Sequence, residues 1–66
     1  MNNEFQELDR VFLNKDVDGI PKNTKGVIVD LPKKFKSICL VEFFDDKGNT
    51  IDVVSVLVHD LTKLNV

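Results

Sequence analysis

The apolar residues of this chain occur in short bursts that are separated by segments rich in Gly, Pro, Asn and Asp. Within each burst the apolar side chains alternate with other residues or are β-branched, and few stretches have helical spacing. This pattern is typical of short β-strands joined by turns. The sequence therefore predicts an all-β fold, in a single domain that spans residues 1–66.

The size of the chain and its cysteine content limit how this fold is stabilised. A chain of 66 residues buries only about 60% of its unfolded surface, so its core is small. Cys39 is the only cysteine, and a lone thiol in a small domain fits a reducing compartment. The first residues lack the features of a signal peptide, and no apolar run is long enough to cross a membrane. We therefore expect a cytoplasmic protein with no membrane partner.

Five strands are predicted from the apolar bursts. Their bounds are Arg10 to Leu13, Val27 to Leu31 with Gly26 at its opening, Ile38 to Phe44, Thr50 to about Val56, and Thr62 to Leu64. A long loop follows the first strand, and we expect Ile20 to anchor it on the core. A helical turn is predicted at residues 4–8. A 3-10 turn is predicted at residues 58–61, with Leu61 pointing inward.

The third strand indicates which side chains face the core, because side chains alternate along a strand. One face holds the apolar residues Cys39, Val41 and Phe43. The other face, which Glu42 marks as the wetter one, also holds Leu40 and Phe44. The segment from Asp45 to Asn49 reads as a tight hairpin in which Gly48 adopts a positive φ.

Together these elements predict a small five-stranded SH3-like barrel, with a short N-terminal turn and a 3-10 turn before the last strand. A barrel also leaves few exposed sheet edges, which a small β domain must protect. The main alternative is an open sheet packed on a helix. That alternative is disfavoured because no segment is long enough to form the helix.

Several segments, taken in order, resemble a family of short bacterial proteins called domain of unknown function 4926. They are Phe5-x-x-Leu8-Asp9-x-Val11, Lys25-Gly26-Val27-Ile28, Val41-Glu42-Phe43, Asp45-x-x-Gly48-x-Thr50-Ile51-x-Val53-Val54 and Asp60-Leu61. The resemblance covers nearly the whole chain, and it implies an SH3-like barrel with no known catalytic residues. Members of the family look to be encoded beside larger proteins with toxin-like domains, which implies an immunity or antitoxin role. The segment at Gly26 also resembles KOW-type barrels of transcription and ribosomal proteins.

Two groups of residues resemble chemical sites but are better explained as structure. Asn14, Asp16, Asp18 and Gly19 match the first half of a calcium-binding loop, but Lys25 stands where the bidentate glutamate belongs. Cys39, His59 and Asp60 would suit a nucleophile, a base and an orienting group, but Cys39 falls mid-strand on the apolar face. There is no Gly-rich phosphate loop and no nucleophile elbow. We therefore predict no cofactor, no metal site, no catalytic residue and no enzymatic activity.

Nine residues are predicted to bind a partner: Phe12, Lys33, Lys34, Phe35, Lys36, Leu40, Phe44, Asp45 and Asp46. Phe12, Leu40 and Phe44 fall on the outer face of the barrel by alternation, where an apolar patch would mark an interface. Residues 33–36, the basic loop, surround one aromatic ring with three lysines and depart from commoner members of the resembled family. The alternative without a binding function is a hairpin whose lysines prevent aggregation.

These residues predict a non-catalytic protein-binding module, an immunity or antitoxin-like inhibitor of a cognate bacterial toxin or enzyme. An alternative is a KOW-like barrel that binds nucleic acid or the ribosome through the basic loop. Nine basic residues against eleven acidic ones, a net charge of −2, argue against broad non-specific binding to nucleic acid. Homodimerisation through the outer face is a third alternative.

Overall fold

The computed structural model describes residues 5–35 and 37–64. Its strands are β1 (Arg10–Leu13), β2 (Lys25–Asp30), β3 (Ile38–Phe44), β4 (Thr50–Leu57) and β5 (Leu61–Lys63), with a 3-10 helix at Val58–Asp60. All neighbouring strands are antiparallel and form one sheet in the order β4-β3-β2-β1-β5. The predicted fold class is confirmed: five strands, almost no helix and a 3-10 turn before the last strand.

The predicted bounds of β1 and β3 are those of the structure, and the other elements shift by one or two residues. β2 begins at Lys25 and ends at Asp30, two residues before Pro32. The 3-10 helix ends at Asp60, and β5 begins one residue earlier than predicted, at Leu61. The side chain of Leu61 is only 5% exposed, which confirms that it points inward.

The N-terminal turn is not helical, and the prediction of a helical turn at 4–8 is wrong for the residues described. Asp9 closes the turn instead: its backbone N–H donates to the carbonyl of Gln6, and its carboxylate accepts the N–H of Gln6. Leu8 has a φ of 75° and is 77% exposed. Its N–H bonds to the carbonyl of Ile28, so pairing with β2 outweighs the local preference for a helical turn.

The core is built from the inner faces of the strands and from one loop residue. Its buried apolar members are Val11, Leu13, Ile20, Ile28, Cys39, Val41, Phe43, Val56 and Leu61. The alternation predicted for β3 is confirmed, since Cys39, Val41 and Phe43 are 0% exposed. Ile20 is 4% exposed and anchors the β1–β2 loop on the core, as predicted.

Gly26 lies on β2 opposite Phe43 of β3. A Cβ atom at this position would lie 2.7 Å from Cγ1 of Val41, 2.8 Å from the carbonyl oxygen of Glu42 and 2.9 Å from Cδ1 of Phe43. Real Cβ atoms essentially never come so close to other heavy atoms. Any side chain at position 26 would therefore force its neighbours on β3 to move.

Two β-bulges interrupt the ladders on either side of β3. Val29 is skipped between the pairs Ile28–Val41 and Asp30–Leu40. Ile51 is skipped in the same way between the pairs of Phe43 with Asp52 and Phe44 with Thr50. A bulge raises the local twist and bends the strand. Both bulges thus help the sheet to curve around its small core.

Candidate protein-binding surface

The predicted binding residues do not lie in one place, because β3 separates them. Its first residue, Ile38, follows the basic loop, and its last residue, Phe44, leads into the hairpin of Asp45 and Asp46. Seven residues of β-strand span about 20 Å. The basic loop and the acidic hairpin are therefore at opposite ends of the sheet, with Leu40 between them.

The basic loop presents its described side chains to solvent. Lys33 and Lys34 are exposed, and Phe35 is 62% exposed. The carbonyl of Phe35 accepts the N–H of Ile38 at 3.1 Å, which ties the loop to the start of β3. Lys36 lies outside the described residues. The loop thus combines two lysines with an exposed aromatic ring.

Phe12 and Phe44 occupy the same face of the sheet, but they are not neighbours. Lys25 pairs with Phe12 on one side and with Phe44 on the other. Both aromatic side chains are half-buried. Lys25 stands between them in the ladder, so the two rings do not form the contiguous apolar patch with Leu40 that the sequence suggested.

A different apolar surface lies on the outer side of β3 and β4, and we call it the outer β3–β4 face. It consists of Ile38, Leu40, Val53 and Leu57. Ile38 pairs directly with Leu57, while Leu40 pairs with Ser55 and is diagonal to both Val53 and Leu57. Cross-strand and diagonal neighbours at these distances are within reach of long side chains. Ile38, Val53 and Leu57 are 38%, 44% and 41% exposed.

Sequence reasoning found only Leu40 of this face. Val53 and Leu57 could have been assigned to it by the same alternation rule. Each lies two residues from Ser55 on β4, so all three side chains point to the same face. What the sequence lacked was the register, which places Ile38 opposite Leu57. That pairing depends on the turn between β3 and β4 and on the bulge at Ile51.

The acidic hairpin between β3 and β4 is organised by Asp45. Its carboxylate accepts the backbone N–H of Asn49 at 2.8 Å and that of Lys47 at 2.9 Å. These bonds hold the pKa of Asp45 below its usual range, and the bond from Asn49 has the largest effect. Gly48 has a φ of 86°, which confirms the predicted hairpin geometry. Asp45 thus serves to shape the turn, while Asp46 remains an exposed charge.

An open cleft of about 480 Å³ lies between this hairpin and the end of the β1–β2 loop. Its walls are Pro21, Lys22, Asn23, Thr24 and Lys25 on one side, and Phe44, Asp45, Asp46 and Ile51 on the other. Lysines and aspartates face each other across it, so the cleft has no single sign of charge.

Asn14, Asp16, His59 and Asp60, which belong to the calcium-loop and triad patterns of the sequence, have structural partners. The side-chain amide of Asn14 donates to the carbonyl of His59 at 3.1 Å, and Asp16 accepts the N–H of Lys22 at 2.8 Å. His59 has a side chain that is 76% exposed and lies 3.5 Å from the carboxylate of Asp60. Within residues 5–35 and 37–64, no group of three His, Cys, Asp or Glu side chains could hold a metal ion.

Cys39 provides a direct test of how well the core is closed. Burial raises the pKa of its thiol from 9.0 to about 11. At pH 8 we expect the native protein to react with a thiol reagent at least about 100-fold more slowly than the protein in denaturant, because the thiolate is the reactive form. Stability should also fall between pH 9 and 11, where the unfolded thiol ionises and the folded one does not. Equal labelling rates in the two states would contradict a closed core.

No helix in the part of the chain that the structure describes is long and apolar enough to cross a membrane. Comparison of the chain with protein-family models, curated proteins and solved structures found no match. The resemblance to the bacterial family and the SH3-like assignment therefore remain predictions from the sequence.

Proposed function

We propose that this chain is a non-catalytic protein-binding module whose partner docks on the outer β3–β4 face. The observation that supports this is the exposure of Ile38, Val53 and Leu57 around the half-buried Leu40 on one side of two neighbouring strands. Exposed apolar side chains that cluster on a small domain mark interaction surfaces. A partner that covered them would remove this apolar area from water, which is the main favourable term in association.

The charges around this face supply the polar rim that protein interfaces use. Lys33 and Lys34 lie at the end of the sheet where β3 begins, and Asp46 lies at the opposite end. Glu42 pairs with Val53 within the face, and its carboxylate accepts the hydroxyl of Thr50 at 2.6 Å. The four apolar side chains share the face with Ser55 and Glu42. The end at Ile38 is positive, and the hairpin end, with Asp45 and Asp46 against Lys47, is negative. Such a dipolar rim favours one orientation of a partner.

In its finer form the proposal is that the partner is a cognate bacterial toxin or enzyme, which this immunity or antitoxin-like protein blocks in the cytoplasm. An inhibitor of this kind needs a rigid, complementary surface and no catalytic group. The hairpin shaped by Asp45 presents Asp46 in a fixed position, where it can meet a basic cleft. The buried thiol of Cys39 suits a reducing compartment.

The test replaces one outer-face residue by a charge and compares it with a matched change elsewhere. Ile38→Asp is expected to weaken partner binding by at least about tenfold, since it would bury a carboxylate in an apolar contact. Leu8→Asp is the control, because Leu8 is the most exposed large apolar residue described and lies outside the face. Both variants are first shown to be folded by circular dichroism.

The tagged protein and both variants are then used to capture partners from native lysate, with and without nuclease. The proposal requires that the wild type captures a protein in stoichiometric amount and that nuclease does not release it. The Leu8→Asp variant should capture the same protein, and the Ile38→Asp variant should not. Retention of the same protein by a folded Ile38→Asp variant would contradict the assignment of the face.

A second candidate function, binding of nucleic acid or the ribosome, is favoured by the exposure of Lys33, Lys34 and Phe35 together in the basic loop. Two cations could contact phosphates while the ring stacks on a base. This candidate predicts that the captured material is lost after nuclease treatment. It also predicts that the double variant Lys33→Glu, Lys34→Glu abolishes RNA binding, and that added salt weakens that binding steeply.

A further inference from the structure

β4 has one edge that no strand of the described residues pairs with. This strand pairs with β3 on one side and forms one border of the described sheet. The N–H of Val58 bonds to the carbonyl of Ser37 at 2.8 Å. This bond shows which residues of β4 are hydrogen-bonded to β3 and which are not. In an antiparallel ladder, every second residue directs both backbone groups to one neighbour. Val54 and Val56 therefore bond toward β3, while Val53, Ser55 and Leu57 direct their N–H and C=O groups outward.

A side-chain bond supports this direction. The N–H of Val53 donates to the carboxylate of its neighbour Asp52 at 2.8 Å, which an N–H engaged with β3 would not do. Among the described residues, no backbone hydrogen bond outside the sheet ladders involves Ser55 or Leu57. The edge thus offers a row of backbone donors and acceptors. The first donor, the N–H of Val53, is bonded to the side chain of Asp52.

The chemistry of this edge is unusual for a protein that remains monomeric. Natural edge strands are protected by lysines, prolines or bulges. Residues 53–57 read Val-Val-Ser-Val-Leu and contain no charge and no proline, and the bulge lies before them, at Ile51. Val53 and Leu57 are among the exposed large apolar residues. A second strand could therefore pair with this segment at little cost.

The segment is also complementary to itself. If two copies pair antiparallel about a two-fold axis at Ser55, Ser55 faces Ser55 of the other copy. Val53 then faces Leu57 of the other copy, and the three outward-directed residues form hydrogen-bonded pairs. Val53 and Leu57 share the outer side of the strand, so each pairing brings two apolar side chains together. A two-fold interface of this kind is the commonest symmetry of protein dimers.

The charges at the two ends of β4 favour the same antiparallel arrangement. The sheet end near Leu57 carries the exposed lysines Lys33 and Lys34, because the basic loop leads into Ile38, which pairs with Leu57. The end near Thr50 carries three exposed aspartates, Asp45, Asp46 and Asp52, against one exposed lysine, Lys47, so it is negative. Antiparallel pairing places the positive end of one copy beside the negative end of the other, whereas parallel pairing would bring like charges together.

We propose that this chain forms a homodimer by antiparallel pairing of β4 with β4 of a second copy, centred on Ser55. The proposal goes beyond the protein-binding function, because that function uses the outer side chains of β3 and β4, whereas the dimer uses the backbone edge of β4. In the dimer the two sheets join into one continuous sheet. The outer β3–β4 faces of the two copies then lie on the same side of that sheet and provide a partner with a doubled surface.

The test follows the mass of the protein by sedimentation velocity from about 10 µM to 1 mM, a range that brackets weak association. The wild-type protein is expected to approach the mass of two chains. Ser55→Lys places two like charges on the two-fold axis and is expected to weaken dimerisation by at least about tenfold. Thr62→Lys is the matched control, since Thr62 is an exposed residue on β5 at the opposite border of the sheet, and it should dimerise as the wild type does.

A second variant and a second readout keep the proposal testable if Ser55→Lys does not fold. Ser55→Pro removes only an outward N–H, a change that edge strands tolerate, and it should also be monomeric. In the wild type, hydrogen exchange at the amides of Ser55 and Leu57 should slow as concentration rises. A wild-type monomer throughout the range, a dimer that survives a folded Ser55 variant, or concentration-independent exchange at these amides would overturn the proposal. If the Ile38→Asp variant still dimerises but no longer captures the partner, the dimer and the partner-binding face are supported independently.

Discussion

Gly26→Val is expected to leave the protein unfolded, and Gly26→Ala to lower its free energy of unfolding by at least about 2 kcal/mol, within the range measured for overpacked cores. A Cβ at this position would lie under 3.0 Å from three atoms. Two of them belong to the side chains of Val41 and Phe43, which are 0% exposed, and protein interiors are densely packed. The third is the carbonyl oxygen of Glu42, and moving it would disturb the pairing of β2 with β3.

The control for Gly26 is Gly19, whose substitution has a different cost. A Cβ at Gly19 would meet nothing within 4 Å, but its φ is +83°. Gly19→Ala should therefore cost only about 1–2 kcal/mol, the penalty for a side chain in the left-handed region. Urea denaturation of both alanine variants measures the difference. If Gly26→Ala were no more destabilising than Gly19→Ala, the close approach of β2 to β3 would be refuted.

Phe43→Ala should produce the largest loss of stability among the truncations of single core side chains. Phe43 is the largest fully buried side chain and faces the crowded space beside Gly26. Truncating a buried phenylalanine costs about 3–5 kcal/mol, because transfer energy is lost and a cavity remains. A domain of this size rarely has more than about 3–5 kcal/mol of stability in total, so we expect a largely unfolded variant at 25 °C.

Phe35→Ala is the matched control for Phe43→Ala, since it deletes the same atoms from a side chain that is 62% exposed. Its melting temperature should stay close to that of the wild type, because an exposed ring contributes little burial. Thermal unfolding followed by circular dichroism compares the two variants. A cooperative transition for Phe43→Ala at the wild-type temperature would show that the core described around this ring is wrong.

Much of the fold could be predicted because alternation is a local property. In β3, the order of Cys39, Leu40, Val41, Glu42 and Phe43 is sufficient to assign inner and outer faces, since side chains alternate whatever the neighbouring strands are. The hairpin at Asp45 to Asn49 was predictable for a similar reason. A glycine with positive φ and an aspartate that bonds the following N–H groups stabilise such a turn without help from the rest of the chain.

The binding surface was predicted less well because it depends on register. Leu40 and Phe44 were correctly placed on the outer face, but Lys25 separates Phe44 from Phe12 in the ladder. The diagonal neighbours that Leu40 does have, Val53 and Leu57, come from a strand more than ten residues away. Nothing near Leu40 in the sequence indicates which of them it meets, because a shift of one residue would exchange the faces.

The amino-acid sequence by itself determined the class of the fold, the number of strands, the core-facing residues of β3 and the hairpin at Asp45 to Asn49, since each follows from backbone preferences and apolar periodicity within a few residues. Only the tertiary structure decided the N-terminal turn at Leu8, the bulges at Val29 and Ile51, and the free edge of β4. These depend on hydrogen bonds between segments distant in the chain, such as that from Leu8 to Ile28. Long-range pairing can override local preference because every buried backbone group must find a partner.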